Sequence, residues 1–174
     1  MISSNTTLII LATVIFLLML ALFDPFSRIG KIRIAGRAKQ KYTRQEMLDI
    51  PLAEDHMIML VETMGLNENL GKTDYGEGAE FIFREFIDMV NGNGTHNGYV
   101  IQKHRDGAEV IARFNGEIHT KIVNGIQEKT VNGTWTKIRG TKQFEGIEGN
   151  GIYSGLYISE NEYIVNWSGN YIVN

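Results

Sequence analysis

Residues 8–23 form an apolar run broken only by Thr13. At about 1.5 Å per residue, a helix of that length reaches roughly 24 Å, against a hydrocarbon core of about 30 Å. Thr6, Thr7 and the serines before them extend such a helix into the interface, so the pattern predicts one N-terminal transmembrane helix. A cleaved signal peptide is the competing reading, and it wants a basic n-region and a small-x-small cleavage site. No Lys or Arg precedes Leu8, and the exit reads Ala21-Leu22-Phe23-Asp24-Pro25. The uncleaved anchor is therefore preferred.

Beyond the run the hydropathic pattern shortens. Thr43-Arg44-Gln45-Glu46 has the form of a capping box, with Met47, Leu48 and Ile50 following and Pro51 as a stop. That combination predicts a short helix. Residues 56–62 read as a strand, residues 65–78 as a turn-rich stretch, and residues 79–90, with Phe81, Phe83 and Phe86, as a second strand. From residue 91 onward, Asp106-Gly107, Asn124-Gly125 and Asn132-Gly133 separate short runs rich in Val, Ile, Thr and aromatics. These dipeptides supply the positive φ of two-residue hairpin turns, and their spacing suits a sandwich or barrel.

Two hairpins follow from those turns. Closing residues 99–105 on 108–114 across Asp106-Gly107 puts Tyr99 opposite Phe114 and His104 opposite Glu109. Closing residues 118–123 on 126–131 across Asn124-Gly125 sets Lys121 against Glu128, a favourable cross-strand pair. Both hairpins have one apolar and one more polar face, as a closed sheet with a packed or ligand-lined interior requires. The expected lumen or ligand residues are Tyr99, Phe114, Trp135, Tyr153, Tyr163 and Trp167. Filling of the lumen by these rings is the commoner outcome; a wall for stacking a ligand is the functional one.

Charge divides the chain. Arg28, Lys31, Arg33, Arg37, Lys39, Lys41 and Arg44 follow the apolar run with no acid among them. Cations so placed are retained in the cytoplasm, which predicts a single-pass anchor with the folded part on the cytoplasmic side; export is the alternative. They also suit contact with the lipid bilayer. Residues 46–174 instead carry 19 acids against 10 bases, which excludes a phosphate-backbone partner and so nucleic acid. The organisation expected is an anchor over residues 1–27, a basic juxtamembrane linker with a short helix over 28–55, and a β-barrel domain over 56–174. The chain has no cysteine, which removes disulfides, thiolate chemistry and Cys-based zinc sites. Asn-x-Ser/Thr triplets at Asn5, Asn93, Asn132 and Asn166 are too easily supplied by chance to fix a compartment.

Candidate chemistry is sparse. His56, His96, His104 and His119 have no metal-ligand spacing, so no metal and no cofactor is expected. His104 and Glu109, if opposed across the hairpin, would form an acid–base pair. Ser154 and Ser159 lack a nucleophile context, and the glycines at 146, 149 and 151 lack the helix and Lys-Ser/Thr pair of a phosphate loop. No catalytic residue is assigned.

Three segments carry a resemblance: Gly133-Thr134-Trp135, the stretch Gly140-Thr141-Lys142-Gln143-Phe144-Glu145-Gly146-Ile147-Glu148-Gly149-Asn150-Gly151, and residues 163–171 with Trp167-Ser168-Gly169. They resemble the C-terminal half of the allene oxide cyclase-like and dirigent-like (calycin-type) β-barrels. That pattern prefers glycine where Gln143 stands. The resemblance implies an eight-stranded antiparallel barrel with Phe144 plugging one end, and it transfers no catalytic residue of the cyclases. With the anchor, it makes the expected function that of a membrane-anchored, non-catalytic binding barrel. Its partner would be an apolar small molecule or the subunits of a membrane complex. The alternative is an isomerase or cyclase acting on a lipid-derived molecule in the lumen.

Overall fold

The computed structural model describes residues 30–51 and 55–174. Eight antiparallel strands close into a barrel in chain order: β1 (Ile32–Asp49), β2 (His56–Asn69), β3 (Glu80–Val90), β4 (Asn93–Lys103), β5 (Glu109–Val123), β6 (Ile126–Gly140), β7 (Ile147–Tyr157) and β8 (Glu162–Val173). β1 pairs with β8, so no sheet edge is left open. The fold is mainly β, as the alternation and turn spacing predict. The transmembrane helix expected over residues 1–27 lies outside the described residues, and no helix among those described is long and apolar enough to cross a membrane.

The barrel begins earlier than expected. The expected linker with its short helix is instead largely β1, which pairs with β2 from Gly36 to Asp49. Its cations Arg37, Lys39 and Lys41 alternate outward with Ala38 and Gln40, both fully buried. The capping-box residues continue that strand, with a register irregularity between Tyr42 and Arg44 that bends it. Pairing on a neighbouring strand has overridden a local helix signal. Likewise β2 runs on to Asn69, past the glycine at 65, and the loop occupies only residues 70–79.

Turn chemistry explains the registers. Asn124 (φ 52) and Gly125 (φ 79) form the expected two-residue turn, and Lys121 faces Glu128 at 3.4 Å. Asp106-Gly107 does not. Only Gly107 takes positive φ (76), the Ala108 N–H is held by Asp106 Oδ1, and the His104 N–H bonds to the Ala108 carbonyl. The loop is thus three residues long, and the register moves by one, pairing Lys103 with Glu109 and Tyr99 with Arg113. Asn132-Gly133 is no turn at all and lies mid-strand in β6.

The core fills the barrel in two halves. The end carrying the 70–79, 104–108 and 141–146 loops is packed with Tyr75, Phe81, Phe114, Trp135, Phe144 and Trp167. A short 3-10 turn (Lys142–Phe144) seats Phe144 there, its ring centroid 5.4 Å from that of Tyr75. The left-handed residue of that turn is Lys142 (φ 55), so position 142, not 143, is where a glycine would be at ease. The opposite half is smaller and aliphatic, built from Met59, Val61, Ile87, Met89, Ile118 and Val131.

Candidate functional site

Period-2 alternation sends Phe81, Phe83, Glu85, Ile87 and Met89 of β3 to one face, with Glu85 the only charged residue among them. β4 sends His96, Val100 and Gln102 inward in the same way, and β7 sends Tyr153. At mid-barrel these meet in a line. His96 Nδ1 lies 2.9 Å from Glu85 Oε2, and His96 Nε2 lies 2.9 Å from the Tyr153 hydroxyl. The Glu85 and His96 side chains are only 3% and 6% exposed. With Glu85 as a carboxylate, Nδ1 donates to it, and a neutral ring then accepts the Tyr153 O–H at Nε2. The hydroxyl fits because β5 and β6 present Gly116 and Gly133 beneath it, where a Cβ would collide with its oxygen.

Three further inward tyrosines surround Glu85. Tyr42 and Tyr157 share a hydrogen bond of 2.8 Å, and Tyr163 bonds to Thr63 at 3.2 Å. Burial, reinforced by the nearby Glu85 charge, raises all of these phenols, with Tyr42 pushed up to about 12. They are hydroxyl donors near neutral pH, never phenolates. Tyr153 is therefore a poor proton donor, and the Glu85–His96–Tyr153 line holds its phenol proton in place rather than removing it.

Above this layer the barrel opens into a vestibule of about 500 Å³. Met47, Met57, Met59 and Met89 line it, with Tyr42 and Tyr157 also in its wall. The register sets Met47 beside Met59 and Met57 beside Met89, so the four thioether chains form one contiguous patch. Lys129 Nζ stands 4.5 Å from the Tyr157 ring centroid. Unbranched, polarizable methionines re-pack around differently shaped apolar guests. On the other side of the polar layer the lumen is nearly full, with a cavity of about 30 Å³ among Phe83, Phe114, Trp135, Lys137 and Trp167.

Of the residues singled out from the sequence, Phe114, Trp135, Tyr153, Tyr163 and Trp167 all point into the barrel and pack together. Tyr99 does not. The one-residue register change turns it outward, where it is 49% exposed. His104 and Glu109 are not opposed either, since Lys103 takes the place beside Glu109. His104 instead packs against Phe144, ring centroids 4.7 Å apart, and Glu109 is exposed. Among the described residues no cluster of His, Asp and Glu is arranged to hold a metal ion. Glu85, His96 and the vestibule methionines were not anticipated. A charged or imidazole side chain on an otherwise apolar alternating face was the signal for the first two.

No protein-family model matches the chain, and no curated protein matches it.

Proposed function

We propose that this protein is a membrane-anchored, non-catalytic β-barrel that works by binding an apolar small molecule at its open end. The observation that carries the reading is the methionine-lined vestibule of about 500 Å³ over a tyrosine layer, beside a half-barrel already filled by its own rings. Ligand sites are concave and set apolar surface against polar groups that fix orientation, and here the methionine wall faces Tyr42, Tyr157 and Lys129 with Gln45, Gln127, Glu160 and Asn161. The anchor rests on the apolar run at residues 8–23 and the cations that follow it. An accessory role in a membrane complex fits the same anchor. The likeness to allene oxide cyclase-like and dirigent-like barrels supports this reading from residues 133–171 only.

The test is photolabelling of the full chain in lipid vesicles with a long-chain alcohol bearing a diazirine, followed by peptide mapping. Adducts on peptides containing Met57, Met59 and Met89, competed by unlabelled alcohol, are expected. Adducts confined to residues 8–23 and the outer wall of the barrel would remove the binding reading.

A second reading has one observation in its favour. The Glu85–His96–Tyr153 line is a buried, hydrogen-bonded acid–base set in an apolar lumen, the kind of arrangement an isomerase or cyclase acting on a lipid-derived molecule would use. Tyr153→Phe would then abolish turnover and leave photolabelling intact, whereas a binding protein shows no turnover to lose.

A further inference from the structure

Lys137 projects from β6 into the filled half of the barrel, where it is 4% exposed. Its Nζ donates to the Tyr75 hydroxyl at 2.5 Å and to Gln102 Oε1 at 3.4 Å, and lies 4.6 and 5.2 Å from the ring centroids of Tyr75 and Trp135. Among the described residues no carboxylate pairs with it. A buried ammonium without a counter-ion costs several kcal/mol, and such a group sheds its proton instead. Burial accordingly brings the amine down to about 7. Tyr75 is held protonated by its own burial, and its hydroxyl passes a hydrogen bond of 2.6 Å to Gln102. The other groups packed on Tyr75 do not supply the missing charge. Burial lowers His104, which could in any case offer only a second positive charge, and Tyr171 stays protonated.

A neutral primary amine is a nucleophile, and this one faces the cavity of about 30 Å³ among Phe83, Phe114, Trp135 and Trp167. That volume suits a guest of one or two water molecules' size. Its walls are apolar, and small apolar guests enter cavities of that kind. Lipids, sugars and all but the smallest aldehydes are too large. Carbon dioxide is small enough, uncharged and electrophilic.

We propose that Lys137 is a carbamylation site, its Nζ adding to carbon dioxide in the closed half of the barrel. The Nζ lone pair forms a bond to the carbon, and one carbon–oxygen π pair moves onto oxygen. One proton then passes from the nitrogen to that oxygen, giving a neutral carbamic acid that buries no charge and needs no oxidant or co-reactant. The product brings an acceptor carbonyl where the amine was a donor. Tyr75 can meet it by turning its hydroxyl from Gln102 to that carbonyl, and Gln102 by presenting its amide N–H₂. Reversal returns the carboxyl proton to the nitrogen and releases carbon dioxide, and acid drives it by protonating the freed amine.

The test equilibrates the full folded chain in bicarbonate carrying an isotope label, then unfolds it in alkaline denaturant with a trialkyloxonium salt already present, so that the trap reaches the buried group, and maps the adducts by mass spectrometry. A labelled, ethylated carbamate on the Lys137 peptide is expected. It should saturate with dissolved carbon dioxide, fall at least several-fold on acidification through pH about 7, and vanish in Lys137→Met and Lys137→Arg. Adducts confined to exposed lysines such as Lys121 and Lys142 in the folded wild-type chain would overturn the proposal. The wild-type map decides the matter even if a variant does not fold.

Discussion

His96 Nε2 lies 2.9 Å from the Tyr153 hydroxyl while Nδ1 of the same ring lies 2.9 Å from Glu85, so one imidazole ties β3, β4 and β7 together across the lumen. The three side chains satisfy one another in an apolar setting, where any one left alone would be an orphan. That closure suits a scaffold, and under the second reading an acid–base set.

Tyr153→Phe separates those roles. The variant keeps the ring and removes the hydroxyl, leaving His96 Nε2 buried without a partner. A loss of about 1–3 kcal/mol is expected, read as a lower urea midpoint at unchanged slope. A variant as stable as the wild type would mean that the hydrogen bond contributes nothing to the fold.

The Lys137 amine gives the barrel a particular pH dependence. Its value falls from 10.5 unfolded to about 7 folded, so between these limits the unfolded chain binds more protons. Stability therefore rises with pH through that window and is lowest at and below pH about 7. Lys129, which burial also lowers, adds slope of the same sign, and near pH 10 unfolded tyrosines begin to ionise and the raised phenols of the folded state pull the other way. In bicarbonate-free buffer, Lys137→Met should be at least as stable as the wild type near neutrality and should keep only the part of the upward slope due to Lys129, as urea melts across the window would show. A slope unchanged by the substitution would assign it to other groups.

Closure and strand direction were legible in the sequence wherever a turn stated its own geometry. Asn124-Gly125 fixed its hairpin because both residues accept left-handed φ, and Lys121 met Glu128 as read. Asp106-Gly107 misled because the same two letters serve a three-residue loop when the Asp side chain caps Ala108. Tyr99 and the His104–Glu109 pair were lost to that single slip. Thr43-Arg44-Gln45-Glu46 carries a helix signal of local origin, whereas the strand there is held by β2, far along the chain. The aromatic lumen was visible from alternation alone. The Glu85–His96 contact was not, since it needs the β3–β4 register, in which Ile87 rather than Glu85 lies directly across from His96.

Two glycines test backbone against packing. Gly125 sits at φ 79 with open space around it, so Gly125→Ala meets only the left-handed penalty, about 1 kcal/mol. Gly133 has ordinary φ, but a Cβ there would strike the Asn115 carbonyl and the Tyr153 hydroxyl. Gly133→Ala must push the phenol off His96 or spread β5 from β6, and a loss of about 2–4 kcal/mol is expected. Thermal melts of both variants should rank them in that order; equal losses would mean that Tyr153 moves aside freely.

The anchor makes the last prediction, and it rests on charge. All seven flanking cations stand after the apolar run, so under the proposed anchor the positive-inside rule would retain the C-terminal side in the cytoplasm. Protease added to intact cells should then leave the barrel whole, and the same protease should release it from inverted vesicles, with the N-terminus still at Met1. A barrel digested from outside, with a new N-terminus near Asp24, would show that the apolar run is removed as an export signal. The charge argument would then fail, but the vestibule argument would not, because the methionine patch depends only on the register of β1, β2 and β3. Photolabelling and protease protection therefore fail independently, and each outcome can be assigned to its own half of the chain.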